Sequence, residues 1–331
     1  MFLDLVILAS GLLAVLAGAK TFTNGVEWAG KKLHLSEGAV GSVLAAVGTA
    51  MPETMVPLIA ILFGPPGTAY DVGIGAILGA PFMLSTLAFG VVGVSKLVCC
   101  RGESGRCIEV KRSIFTRDLR YFIVFYTLAV LTAFAPWRPA KIAVAAFLMS
   151  GYAFYVKKTL GDGDSLGEAD LEPLYLWRKE GQPPLYAVAG QAFIGLVLIA
   201  AGAHYFVDGL SLLAETVMVP ALILSLILTP VATELPEKFN SIIWVKGGKD
   251  TLAMGNITGA MVFQSSVIPA LGMLFTPWNL TFLAALSAGL ALLSGLTVYL
   301  FTVRQKALKT STMLYPVLIY GVFLVTVFAV L

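Results

Sequence analysis

Apolar residues run in long stretches along this chain, and charged, glycine and proline positions gather between them. Ten such stretches stand at roughly 3–30, 37–63, 69–97, 120–135, 139–157, 185–207, 217–245, 250–275, 278–303 and 312–331. The hydrocarbon core of a bilayer takes about 20 apolar residues of helix, so the pattern predicts ten spanning helices joined by short loops. The first, second and seventh are longer than a perpendicular crossing needs, which predicts tilt, helix breaks or interfacial extensions. The first begins with Asp4 and has no basic leader, so it reads as a retained membrane helix and not as a cleaved signal. The fold class expected is an all-α polytopic membrane protein.

Composition agrees. Of 331 residues, 58% are hydrophobic and 12% charged, against about 25% charged in an ordinary soluble domain. No low-complexity tract or glycine period is present, which excludes collagen-like and disordered classes. The net charge of +3 carries no nucleic-acid signal. Cys99, Cys100 and Cys107 lie in one basic loop without a neighbouring His, so they read as reduced thiols and not as a zinc site. Lys and Arg crowd the loops on one side: Lys31, Lys32, Arg101, Arg106, Lys111, Lys157, Lys158, Lys246, Lys249 and Arg304 among them. The loops on the other side hold only Arg138 and Lys141. Basic loops stay in the cytosol, which predicts both termini outside the plasma (inner) membrane. The stretch 158–184 is the longest hydrophilic one. Its Asp162-Gly163-Asp164 start resembles a calcium loop, but Leu166 and Pro173 occupy positions that need oxygen ligands, so it reads as a linker.

The chain repeats itself. Residues 17–53 align without a gap on 201–237, with ten of 37 positions identical, among them Gly18 with Gly202, Phe22 with Phe206 and Gly25 with Gly209. The block ends in Thr49-Ala50-Met51-Pro52-Glu53 against Thr233-Glu234-Leu235-Pro236-Glu237. A second block pairs Gly75-Ala76-Ile77-Leu78-Gly79-Ala80 with Gly255-Asn256-Ile257-Thr258-Gly259-Ala260. The expected organisation is a first five-helix repeat at 1–157, a cytosolic linker at 158–184 and a second five-helix repeat at 185–331. An odd number of spans in each half makes the repeats inverted, and inverted repeats place a substrate site near the bilayer midplane.

Glu53 and Glu237 fall at equivalent positions within apolar stretches, where a charge costs about 2.5–3.5 kcal/mol on insertion scales. Proline before each removes a helical N–H and frees carbonyls in the preceding turn. Carboxylate, freed carbonyl and the Thr four residues earlier make an all-oxygen set suited to a hard cation. A Pro-Glu pair also marks helix starts, where the carboxylate favours the dipole; its recurrence at repeat-equivalent positions argues for the ligand reading. Glu234, three residues before Glu237, joins the acidic set. Two close carboxylates raise one pKa, which suits a proton as well as a divalent ion. Asn256 and Gln264 add neutral amides. His204 with Asp208 at i+4 reads as an interfacial pair.

The paired T-x-x-P-E elements, each followed by a G-x-x-x-G-A helix, resemble the two α-repeats of the calcium:cation antiporter superfamily, especially the prokaryotic sodium/calcium exchanger family. The resemblance covers essentially the whole chain. It implies that Glu53 and Glu237 are central cation ligands assisted by Thr49 and Thr233, and that the first and sixth spans slide to give alternating access. The family's motifs read G-T-S-x-P-E and G-N-x-x-G-S-N-x-x-N. Here Ala50, Ala76, Ala80, Leu84 and Ala260 replace polar positions, while Asn256 and Gln264 keep theirs.

The expected function is antiport of Ca²⁺ for Na⁺ or H⁺ at Glu53, Glu237, Thr49, Thr233, Glu234, Asn256 and Gln264. Inorganic cations are the substrates and lipid the surroundings, with no cofactor, nucleotide or nucleic acid. Another cation, a passive channel and a non-transporting relative stand as alternatives. An intramembrane enzyme is disfavoured, because neither H-E-x-x-H nor G-x-S-x-G is present.

Overall fold

The computed structural model describes residues 1–32, 50–65, 68–99, 107–161, 172–177, 182–305 and 308–330. These are almost wholly helical: α1 (Phe2–Lys32), α2 (Met51–Phe63), α3 (Ala69–Met83), a π segment (Leu84–Ala88), α4 (Phe89–Cys99), α5 (Arg112–Thr132), α6 (Arg138–Gly161), α7 (Leu185–Val217), α8 (Ala221–Lys246), α9 (Asp250–Phe275), α10 (Phe282–Arg304) and α11 (Thr310–Val330). Two-residue strands, β1 (Cys107–Ile108) and β2 (Leu308–Lys309), pair antiparallel. Among the described residues seven helices are long and apolar enough to cross a membrane: α1, the continuous rod from Tyr70 to Cys99, α6, α7, α9, α10 and α11. Of the other expected spans, α2 and the first part of α8 are shorter apolar helices.

The chain divides into two compact units, residues 1–70 with 153–218 and residues 71–152 with 219–331. The first is dominated by α1 against α7, with α2 on α7. Glycines recur every seventh residue on both long helices, at 11, 18 and 25 and at 195, 202 and 209. A Cβ on Gly18 would lie 2.7 Å from the backbone N of Ile199, and one on Gly202 would lie 2.6 Å from that of Val15. Small residues allow such backbone contact, which is how helices gain packing where lipid offers no hydrophobic drive. A polar cluster ties one end of the pair. Buried Gln191 donates to Asn24 Oδ1 at 2.8 Å and accepts from the Leu176 N–H at 2.8 Å; Trp28 Nε1 donates to the Glu172 carbonyl. Tyr175 donates to Glu172 Oε2, and its phenol is pushed up to about 12 by burial and then by Glu172, so it remains a donor.

The second unit is built on α9, held at both ends. Asp250 in its first turn is buried, bonded to Lys96 Nζ at 2.5 Å and to the Glu109 N–H at 3.0 Å. At its C-terminus Arg138 donates to the carbonyls of Leu274 and Thr276, and Lys141 to that of Pro277 at 2.6 Å and to Asn279 Oδ1 at 3.0 Å. Cations satisfy the free carbonyls and negative dipole end there. Trp278, at φ +50°, is fully buried and donates through Nε1 to the Ala129 carbonyl at 3.0 Å. The helix carrying the fourth expected span starts at Arg112 and not near residue 120. Its first turns are polar, so apolar patterning passes over them. They are held instead by Asp118, 2% exposed, which accepts from Thr258 Oγ1 at 2.9 Å and from Arg117 Nε at 3.2 Å.

Candidate functional site

Glu53 stands in the first turn of α2, with Pro52 just before it, and is 7% exposed. Proline suits a helix start because its missing N–H has no intrahelical partner there. Thr54 turns its hydroxyl back to the Ala50 carbonyl at 2.7 Å. Glu53 is therefore a helix-start carboxylate, and a buried one. In the second repeat the same Pro-Glu pair lies inside α8, which continues through it to Lys246. The expectation of two like helix interruptions thus meets two different backbones. Thr49 lies outside the described residues, as do Cys100 and the stretch 162–167; Glu237 is placed within α8 by its backbone.

On α8 and α9 the structure brings four polar side chains into two pairs. Glu234, 1% exposed, accepts from Gln264 Nε2 at 2.7 Å; Gln264 is 3% exposed, and its Oε1 makes no hydrogen bond among the described residues. One turn along α8, Lys238 donates from Nζ to Asn256 Oδ1 at 3.2 Å. Thr233 is buried and its hydroxyl donates to the Thr229 carbonyl at 3.0 Å. That bond uses the proton and leaves the oxygen its acceptor capacity. Glu234, Gln264, Lys238, Asn256 and Thr233 belong to one compact unit and Glu53 to the other.

Patterning alone missed Lys238, which is 2% exposed. A lysine straight after a glutamate reads as a span-end charge. The signal available was its position, inside the expected seventh span and eight residues before the next charge at Lys246.

Of the five apolar replacements, Ala76, Ala80 and Leu84 are buried in packing, while Ala50 and Ala260 are partly exposed. A Cβ on Gly75 would sit 2.6 Å from the Leu222 carbonyl and one on Gly79 2.7 Å from Pro230 Cγ, so this face of α3 lies directly on the first half of α8. The equivalent Gly255 has open space around it. His204 and Asp208 are 3.5 Å apart on the exposed surface of α7. Lys20 lies over the Tyr175 ring.

The chain matches the family model described as sodium/calcium exchanger protein over residues 3–157 and 188–329. It is 24% identical over 270 residues to the candidate antiporter CaxA of Alkalimonas amylolytica, covering 81% of this chain and 79% of that protein. Its fold is similar to that of the H⁺/Ca²⁺ exchanger CAX (TM-score 0.77, 16% identity, 97% of this chain and 82% of that one). It is also similar to the sodium-calcium exchanger NCX_Mj (TM-score 0.58, 19% identity, 98% of both chains).

Proposed function

This chain belongs to the sodium/calcium exchanger protein family, and on that premise we propose that it exchanges Ca²⁺ for Na⁺ or H⁺ by alternating access. The family is one of multi-pass membrane antiporters of inorganic cations, not of enzymes. In this reading Glu53, Glu234 and Glu237 are the acidic ligands, with Thr49, Thr233, Asn256 and Gln264 as neutral oxygen donors. The first repeat is 1–157, the linker 158–184 and the second repeat 185–331. Both termini face outward from the plasma membrane, because the basic loops fall on the opposite side.

The observation that carries the reading is the Glu234–Gln264 pair. A carboxylate and an amide, both almost wholly buried in apolar helices, are hydrogen-bonded, and the amide carbonyl makes no hydrogen bond among the described residues. Burying such groups is costly unless something pairs with them, and intramembrane ionisable residues mark ion pathways. Carboxylate and carbonyl oxygens are the ligands a hard cation takes. The glycine-packed α1–α7 pair supports these two helices as the moving element, since backbone contact along its length lets them shift as one body.

Purified protein in proteoliposomes tests this. Interiors loaded with Na⁺, made acidic, or given neither are compared for ⁴⁵Ca²⁺ uptake. Uptake that requires one of the two internal ions supports antiport and identifies the coupling ion. Uptake equal in all three is the behaviour of a passive channel and overturns the proposal.

A further inference from the structure

The family reading leaves one side chain unused, and it sits beside the proposed ligands. Lys238 is buried to 2% exposure in α8, directly after Glu237 and one turn beyond Glu234, and its ammonium is 3.2 Å from Asn256 Oδ1. An ammonium taken out of water in an apolar helix costs several kcal/mol unless oxygens and countercharge surround it. The oxygen it takes here is an amide carbonyl, the same donor that a Na⁺ or Ca²⁺ ion would take.

The two repeats differ at this point. The counterpart of Lys238 is Thr54, which bonds its own helix, and the counterpart of Asn256 is Ala76, buried and apolar. The first repeat has thus lost the amide. The second keeps it and supplies a fixed cation to it. Within five residues α8 carries Glu234, Glu237 and Lys238, so one of its two negative charges is balanced by the chain itself.

Resting on the antiport reading above, we propose that the Lys238 ammonium is a tethered cation. It occupies one cation position of the exchange site on Asn256 and lowers by one the number of monovalent ions carried per cycle. A transported ion in that position would enter and leave; the lysine stays, so the position adds no charge to the turnover. A purely structural tie between α8 and α9 would alter stability when cut, but not the number of ions exchanged.

The test uses the full chain as wild type, Lys238→Ser and Lys238→Arg. Serine removes the charge and leaves space and a hydroxyl; arginine keeps the charge. Thermal unfolding of the purified proteins is titrated with NaCl against choline chloride at constant ionic strength. Lys238→Ser is expected to gain a Na⁺-dependent rise in midpoint beyond that of wild type, and Lys238→Arg to follow wild type. In proteoliposomes clamped at zero potential, the exponent relating the balancing Ca²⁺ ratio to the coupling-ion ratio is expected to rise by one in Lys238→Ser only. The same Na⁺ response and the same exponent in Lys238→Ser as in wild type would overturn the proposal, as would Lys238→Arg behaving like the serine variant. If Lys238→Ser does not fold, Lys238→Gln is read in the same titration. Wild type without ion-driven uptake would speak against antiport instead, because the Na⁺ titration still reports whether removing the ammonium opens a cation position.

Discussion

Glu234 sits buried in an apolar helix and accepts a hydrogen bond from the Nε2 of Gln264. Replacing Gln264 by leucine keeps the volume and removes the donor. Losing one hydrogen bond to a buried carboxylate costs about 1–3 kcal/mol, so Gln264→Leu should lower the unfolding midpoint in detergent and weaken stabilisation by added Ca²⁺. An unchanged Ca²⁺ effect would remove Gln264 from the ligand set. Both residues were legible in the sequence, because laying one repeat on the other exposes Glu234 opposite Ala50 and Gln264 opposite Leu84. Their pairing was not, since a linear chain does not say which amide meets which carboxylate. Lys238 was hidden for a related reason: only its burial and its Asn256 contact separate it from an ordinary span-end lysine.

Among elements, α9 shows how a polar residue at each end fixes an apolar helix. Lys96 and Asp250 are a buried ion pair at its N-terminus. Removing one partner leaves an uncompensated charge, at about 3–5 kcal/mol. Lys96→Met should therefore be strongly destabilising, and the double change Lys96→Met with Asp250→Asn should recover much of the loss in thermal unfolding. Additive losses would show that the pair is not coupled.

The α1–α7 contact makes a second case. Alanine at Gly202 pushes a Cβ to 2.6 Å from the Val15 backbone N, whereas alanine at Gly190 on the same helix meets nothing within 4 Å. Gly202→Ala should destabilise by about 1–3 kcal/mol, as overpacking does. Gly190→Ala should be neutral or stabilising by up to about 1 kcal/mol. Equal effects in chemical or thermal unfolding would count against backbone packing. Gly18, Gly25, Gly202 and Gly209 were legible as repeat markers, but their purpose was not. Apolar patterning located the long helices well and failed at polar ends, as at Arg112–Asp118, where the hydrogen bonds of buried Asp118 act beside the buried Phe115 and charged residues break the apolar run.

For the whole molecule, descent and packing divide the chain differently. The proposed repeats are two successive halves of the sequence, while each compact unit draws from both halves. Similarity between residues records duplication and says nothing of which copies pack together, so this division could not be read from the alignment. Orientation can be tested directly. With Cys99, Cys100 and Cys107 changed to serine, a single cysteine placed at Phe2 should react with a membrane-impermeant thiol reagent added to intact cells. Labelling only after lysis would reverse the assignment.

The central claim is that paired α-repeat carboxylates carry the exchanged cation. The direct measurement is gradient-driven ⁴⁵Ca²⁺ uptake by wild type, Glu53→Gln and Glu237→Gln at matched reconstitution. Loss of exchange in both variants, with each protein still folded, is the expected result. Wild-type exchange in either one would contradict it.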